Sequence, residues 1–280
     1  MTMELPVVLV LWFVFSLTVI TNGDETIDLP PCDYSAIYNF GDSNSDTGGL
    51  AAALYPEGPP SGETYFKMPA GRASDGRLII DFIGKRFNSI ILLRFFVLYE
   101  RGARAFWVHN TGPIGCLPVT HAKVKDPLPG YLDEIGCVKD QNDVALLFNQ
   151  QLKVEIVKLR AELTNATLVY VDMYAAKYEL ISQAKNQGEL LKFAGFEDRF
   201  EICCGYHGID YDVWCGNKGN VNGTEVYAGS CANPSAVISW DGVHYTEAAN
   251  RWIANRIMNG SLSDPMVPIS RACHKQMPVS

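Results

Sequence analysis

The sequence is short of basic charge. Its 280 residues carry 23 Lys and Arg against 31 Asp and Glu, a net charge of −8. No long basic cluster occurs along it. Recognition of nucleic acid through phosphates needs Lys and Arg massed on one face, so nucleic acid is excluded as a partner. No Cys-x-x-Cys pair occurs either, and Cys203 and Cys204 are adjacent. That spacing argues against a zinc site and leaves disulfides as the reading of the eight cysteines. No internal repeat and no low-complexity linker divides the chain. The length suits one large domain, and a hydrophobic content of 48% supplies a sizeable core.

The first residues read as a secretory signal. Leu5 to Ile20 is apolar apart from Ser16 and Thr18, and Thr21-Asn22-Gly23 follows with small and polar side chains. The run is short of the ~20 residues a membrane span needs. The expectation is a signal peptide over 1–23 and one domain over 24–280, an uncleaved anchor being the alternative because Glu4 and no Lys or Arg precedes the run. Eight cysteines suit an oxidising compartment. Three sequons, beginning at Asn165, Asn222 and Asn259, are expected glycosylation sites. Of the 105 pairings eight cysteines allow, the expectations are Cys116 with Cys137, and the group from Cys203 to Cys231 largely within itself.

Hydrophobic patterning alternates between strand-like and helix-like segments. Strands are expected at 35–40, 104–110 and 167–172, where β-branched and aromatic residues run together. Helices are expected over 75–86, 140–163 and 173–187, with a last one after His244 that buries Ala248, Ala249, Trp252, Ile253 and Ile257. The 140–163 helix carries an apolar stripe of Val144, Phe148, Leu152, Ile156, Leu159 and Leu163. Gly102 reads as a helix C-cap. Residues 54–76 read as a loop and 201–235 as a cysteine-stapled loop. Strands alternating with helices predict an α/β fold with a parallel sheet.

Ser43 falls just past the first expected strand, and ligands of parallel sheets bind at carboxyl ends of strands. Taken alone, it reads equally as a cap beside Asp42, Asn44, Ser45 and Asp46. Asp241 and His244 lie three apart, so one short loop can present an imidazole and the carboxylate that orients it. Taken alone, that pair reads as a turn into the last helix. Together the three residues supply a nucleophile, a base and an orienter for acyl transfer.

Phe40-Gly-Asp-Ser-Asn-Ser-Asp-Thr-Gly48 resembles block I of the GDSL esterase/lipase family, a branch of the SGNH hydrolases, and Asp241-Gly-Val-His244 resembles its block V. Gly71-Arg-Ala-Ser-Asp-Gly-Arg-Leu78, Leu98-Tyr-Glu-Arg-Gly-Ala-Arg104, Asn110-Thr-Gly-Pro-Ile-Gly-Cys-Leu-Pro118 and Cys203-Cys-Gly-Tyr-His207 are similar to the plant secreted branch, with its nodulin-like and α-fucosidase-like members. The resemblance spans 35–86 and 98–258. It implies a three-layer α/β/α, flavodoxin-like SGNH sheet. It also implies hydrolysis of carboxylic esters, small or polymer-linked, with Ser43 as nucleophile, His244 as base and Asp241 as orienter. No cofactor, no metal and no stable membrane anchor are implied, and the location is extracellular or cell wall. A glycosidase would need two carboxylates across one sugar bond, and only Asp241 has such a setting here.

One part of the family pattern is missing. A block II Gly and a block III Gly-x-Asn-Asp, which complete the oxyanion hole, belong between 86 and 98, and neither is there. Gln141-Asn142-Asp143 imitates block III but opens a helix. The expected sheet is therefore incomplete, lacking strands two and three of the order 2-1-3-4-5, and the Ser43 backbone N–H is the one oxyanion donor left. Strand one is then expected to pair with 104–110 or to show bare edges. Weak or absent turnover follows, since losing one donor costs ~10²–10³ in rate. A non-catalytic secreted glycoprotein on the same scaffold is the alternative.

Overall fold

The computed structural model describes residues 30–34, 37–54, 57–84, 95–184, 195–196 and 198–274. The expected signal segment and the apolar run 87–94 lie outside them. The helices are α1 (Gly49–Ala53), α2 (Ile79–Gly84), α3 (Phe95–Glu100), α4 (Pro118–His121), α5 (Lys139–Glu162), α6 (Met173–Gln183) and α7 (Glu247–Met258). The strands are β1 (Ala105–His109), β2 (Thr167–Val171), β3 (Gly205–His207), β4 (Asp212–Trp214), β5 (Lys218–Val221), β6 (Thr224–Tyr227) and β7 (Ser263–Asp264).

The central sheet has the order β1-β2-β7. β1 and β2 run parallel, from Ala105 opposite Thr167 to His109 opposite Val171, and β7 pairs antiparallel to β2. β2 is buried along its whole length, as a central strand covered on both faces must be. Its alternation separates two cores. Val169 and Val171 meet Ile79, Ile83, Leu180 and Ile253 from α2, α6 and α7. Leu168 and Tyr170 meet Phe106, Ile156 and Leu163 on the α5 side. Each aliphatic side chain so buried contributes about 1.5–3 kcal/mol. The result is an α/β fold with helices on both faces of an incomplete sheet.

The expected strand at 35–40 does not form over its described part. Residues 37–40 join no ladder, and Tyr38 and Phe40 are 54% and 44% exposed. A strand exists through its neighbours' hydrogen bonds. Among the described residues β1 is an edge strand paired to β2 alone, so 37–40 did not take up the expected pairing. The segment is instead moored to the other end of the chain. Cys32 bonds Cys273, its N–H donates to the Ser270 carbonyl at 2.6 Å, and the Tyr34 hydroxyl donates to the Ile269 carbonyl at 2.9 Å.

The α5 stripe holds in its second half. Leu152, Ile156, Leu159 and Leu163 pack as expected, whereas Val144 and Phe148 are 62% and 53% exposed. The first half turns Asn142, Ala145 and Asn149 inward instead. The loop after β1 has buried backbone groups to satisfy, and apolar side chains cannot do it. The Gly115 N–H donates to Asn142 Oδ1 at 2.9 Å, and Asn149 exchanges two 2.9 Å bonds with the Thr111 backbone. Asn142 of the block III imitation is thus a clamp on this loop.

Other boundaries move slightly. α2 starts at Ile79 rather than Asp75, whose carboxylate is engaged elsewhere. Gly102 (φ +100°) caps α3: the Ala103 N–H reaches the Leu98 carbonyl and the Gly102 N–H the Tyr99 carbonyl, the Schellman pattern. Cys116–Cys137 pairs as expected, and the group from Cys203 to Cys231 closes within itself as expected, through Cys203–Cys231 and Cys204–Cys215; the Cys32–Cys273 bridge spans 241 residues.

Candidate active site

Ser43 sits in a turn, half-buried, between the moored segment and α1. The turn is built by short polar side chains. The Ser45 N–H donates to the Asp42 carbonyl at 2.9 Å, the Asn44 N–H donates to Asp42 Oδ1 at 2.9 Å, and Asn39 Nδ2 donates to the Ser45 carbonyl at 2.6 Å. Asp46 then receives the N–H groups of Gly48, Gly49 and Leu50 at the start of α1. Burial works against its charge, but those N–H donors outweigh it and hold its carboxyl below the usual range.

Asp241 and His244 lie in the turn before α7. Gly242 has φ +93°, a conformation that suits glycine. Asp241 Oδ1 accepts the N–H groups of Val243 and His244 at 3.0 and 2.8 Å, and its Oδ2 lies 2.6 Å from His244 Nδ1. The turn rests on the cysteine-stapled loop. The Cys203 N–H donates to the Ser239 carbonyl and the Cys204 N–H to the Trp240 carbonyl, with Trp240 fully buried among the half-cystines. After the turn, Thr246 caps α7 by accepting the Ala249 N–H.

The Gly71–Leu78 stretch holds this turn from the other side. Ser74 Oγ donates to the Tyr245 carbonyl at 2.9 Å, the Glu247 N–H donates to Asp75 Oδ1 at 2.7 Å, and Arg77 pairs with the buried Glu247 at 2.6 Å. Its glycine is used where no side chain fits: a Cβ on Gly76 would collide with the Glu247 carboxylate. The structure thereby assigns a structural task to a stretch that the sequence marks only as a match.

The two halves meet. His244 Nε2 lies 2.6 Å from Ser43 Oγ. An ionised Asp241 accepts a hydrogen bond from Nδ1–H, which leaves the Nε2 lone pair facing the Ser43 hydroxyl. Burial disfavours charge on His244, yet the Asp241 hydrogen bond and charge, with Glu57 and Asp42 further off, outweigh it and raise its pKa above 6.5. Burial likewise opposes the Asp241 charge, and its bonds to His244 and Val243 win, lowering its pKa.

Other charged groups near this centre had no motif to mark them. Lys177 of α6 stands over the Tyr245 ring at 4.6 Å and packs against Gly112. The residue as a whole keeps some exposed surface, but burial of the ammonium pushes its pKa down to about 8, with Asp42 pulling the other way. Glu57 is raised first by burial and then by Asp241 and Asp46, His244 acting against them. A lone Lys or Glu in a helix or loop has no spacing signature, so neither was legible beforehand.

Among the described residues, two groups of side chains have the composition of metal ligands: Cys32, Cys273 and His274, and Cys116, Asp133 and Cys137. In both, the sulfurs are joined in a disulfide and are not thiolates. Asn165, Asn222 and Asn259 are exposed. No helix among the described residues is long and apolar enough to cross a membrane.

Residues 91–257 match the family described as GDSL-like lipase/acylhydrolase. A GDSL esterase/lipase of Arabidopsis thaliana is 37% identical over 380 aligned positions, covering 95% of each chain. A GDSL esterase/lipase of Zea mays is 34% identical, covering 88% of this chain and 90% of its own length. A protein named esterase from Hevea brasiliensis is 34% identical, covering 87% and 90%.

Proposed function

We propose that this chain, which belongs to the GDSL-like lipase/acylhydrolase family, cleaves carboxylic esters with Ser43 as nucleophile, His244 as general base and Asp241 as its orienter. Membership makes the chain an ester hydrolase; the residue roles are our reading. The observation that carries it is the continuous relay from Ser43 Oγ to His244 Nε2, 2.6 Å, and from His244 Nδ1 to Asp241 Oδ2, 2.6 Å.

The chemistry follows from that geometry. Ser43 Oγ attacks the ester carbonyl as its proton passes to His244 Nε2. The imidazolium so formed is stabilised by Asp241 and returns the proton to the departing alkoxide, leaving an acyl group on Ser43. Water then enters, gives a proton to His244 and attacks the acyl carbon. Ser43 recovers its proton as the carboxylic acid leaves. No metal or cofactor takes part.

The oxyanion side is thinner. The Ser43 N–H has no acceptor among the described residues and is available as a donor, while the block II Gly and block III Asn have no counterpart between 86 and 98. The 380 positions aligned to the Arabidopsis relative exceed this chain's 280 residues by 100, which supports an internal deletion. The proposal is therefore a shortened domain over 24–280, secreted after loss of 1–23 and glycosylated at Asn165, Asn222 and Asn259. Its relay is assembled and its oxyanion hole depleted. Its substrates are small or polymer-linked esters, with no nucleic acid and no stable membrane anchor.

A fluorophosphonate tests this directly. Labelling at Ser43 that vanishes in Ser43→Ala is expected. Turnover of a p-nitrophenyl acyl ester should be at least ~10²–10³ below that of a full-length relative. No labelling of the folded chain would overturn the roles and leave a non-catalytic glycoprotein.

A further inference from the structure

The relay does not end at Asp241. Behind it lies a second histidine–aspartate pair contributed by the cysteine-stapled loop. His207 Nε2 is 3.1 Å from the Asp241 main-chain carbonyl, and His207 Nδ1 is 2.7 Å from Asp212 Oδ1. Asp212 Oδ2 in turn meets the Lys123 ammonium at 2.7 Å. The His207 side chain has no exposed surface, while Asp212 is 39% exposed. We infer that His207 is a positioning residue for the Ser43 site: it fixes the turn that carries Asp241 and His244 by donating to the Asp241 carbonyl. The inference rests on the reading of Asp241 and His244 given above.

Three features make this more than a buried histidine at rest. The first is donor accounting. A main-chain carbonyl has no proton to give, and Asp212 is held ionised by hydrogen bonds from Lys123 first and His207 second, its carboxyl lying below the usual range. Both ring nitrogens of His207 therefore face acceptors. The 3.1 Å contact with the Asp241 carbonyl is a hydrogen bond when Nε2 carries the hydrogen, which makes His207 its donor.

The second is rigidity. His207 lies opposite Asp212 in the β3–β4 pair, so strand register presents the ring to its partner. Cys203–Cys231 and Cys204–Cys215 staple the loop on either side, and the Lys123 ammonium reaches from beyond α4 to the Gly208 carbonyl as well as to Asp212. Trp214 meets the ring edge-on at 4.6 Å. The ring cannot swing away without disturbing these contacts.

The third is close packing on the turn itself. A Cβ on Gly242 would lie 3.3 Å from His207 Cδ2 and 3.3 Å from Val119 Cβ, and the Gly242 carbonyl accepts the Val119 N–H at 3.1 Å. The two peptides flanking Gly242 are thus gripped, Asp241–Gly242 from the His207 ring and Gly242–Val243 from α4. A positioning role follows because the Asp241 carboxylate, which aims His244, is one side chain away from the carbonyl that His207 holds. A small rotation of that peptide would misdirect the imidazole, and displacements near 1 Å can cost ~10²-fold in rate.

The test compares His207→Phe, which keeps a ring and loses both ring nitrogens, with His207→Gln, whose amide nitrogen can reach the place of Nε2. Melting curves first establish that each variant folds. In His207→Phe the rate of fluorophosphonate labelling at Ser43 and kcat for a p-nitrophenyl ester should fall at least tenfold with KM little changed. His207→Gln should recover most of that loss. A folded His207→Phe that labels at the wild-type rate overturns the inference, as does a His207→Gln no better than Phe. Should His207→Phe fail to fold, nitrogen NMR of the intact protein decides: a proton on His207 Nε2 is expected, and an unprotonated Nε2 overturns the donor assignment. Absence of labelling in the unaltered protein would instead sink the roles of Ser43 and His244, while the NMR result stands apart from it.

Discussion

His244 Nε2 lies 2.6 Å from Ser43 Oγ although 201 residues separate them. The contact joins a turn moored by a disulfide to a turn braced by two others. Its consequence for pH can be worked out. The pKa of His244 is raised above 6.5 because Asp241 outweighs burial, and the base must be neutral to accept the Ser43 proton. The labelling rate and kcat/KM should rise with pH through a midpoint above 6.5. The stability sign is opposite: a raised histidine stabilises the fold below its unfolded pKa, and that contribution is lost as pH rises through the folded value. A pH–rate profile with its midpoint below 6.5 would contradict the assignment.

Replacing Asp241 by Asn should separate orientation from charge. The amide can still accept the Val243 and His244 N–H groups, so the turn should survive. It no longer favours the Nδ1-protonated tautomer or the imidazolium. Turnover should drop on the order of 10⁴-fold, and the acid limb should move to lower pH, where burial alone would place it. Unchanged kinetics in a folded Asp241→Asn would be incompatible with the relay.

Glu247 is the second load-carrying carboxylate, and it acts on stability. It is 2% exposed and meets both Arg77 and Arg251. Arg77 is itself mostly buried, so Glu247→Ala leaves a guanidinium without its partner. Breaking such a pair costs about 3–5 kcal/mol. Denaturant titration should show that loss. A change below 1 kcal/mol would mean that Arg77 finds water or another acceptor.

Cys32–Cys273 should matter to the site as well as to stability. With no ladder over 37–40, the Ser43 turn depends on the mooring at Cys32 and Tyr34. Loss of a native disulfide typically costs about 2–5 kcal/mol. In Cys32→Ser/Cys273→Ser, Ser43 labelling should slow more than the melting temperature alone accounts for, while the cysteine-stapled loop stays closed. Equal labelling of the double variant at a temperature where it is fully folded would show that other contacts hold the turn.

Much of the layout was legible where one local rule was enough. β2 reads as a buried strand because five apolar or β-branched residues run together, and α5 and α7 read as helices from their periodicity. The α5 stripe misled at Val144 and Phe148 because periodicity cannot tell that Asn142 and Asn149 are needed to satisfy the 111–115 backbone. The strand at 35–40 misled for a related reason: propensity describes a segment, while a ladder requires a neighbour. His207 stood inside a recognised motif, but its partners, Asp212 and the Asp241 carbonyl, are set by strand register and by a turn 34 residues away.

By itself the sequence determined the family, the candidate nucleophile and its Asp–His partner, because each depends on residue type at short spacing. It also pointed to Cys116–Cys137 and to pairing within the Cys203–Cys231 group, whose cysteines lie close along the chain, while the pairs inside that group came from the structure. Tertiary structure alone decided whether Ser43 and His244 would touch. That contact is made by side chains 201 residues apart, and it depends on moorings no local pattern encodes: Cys32 to Cys273, Asp75 to Glu247, and Cys203 to the turn that carries Asp241.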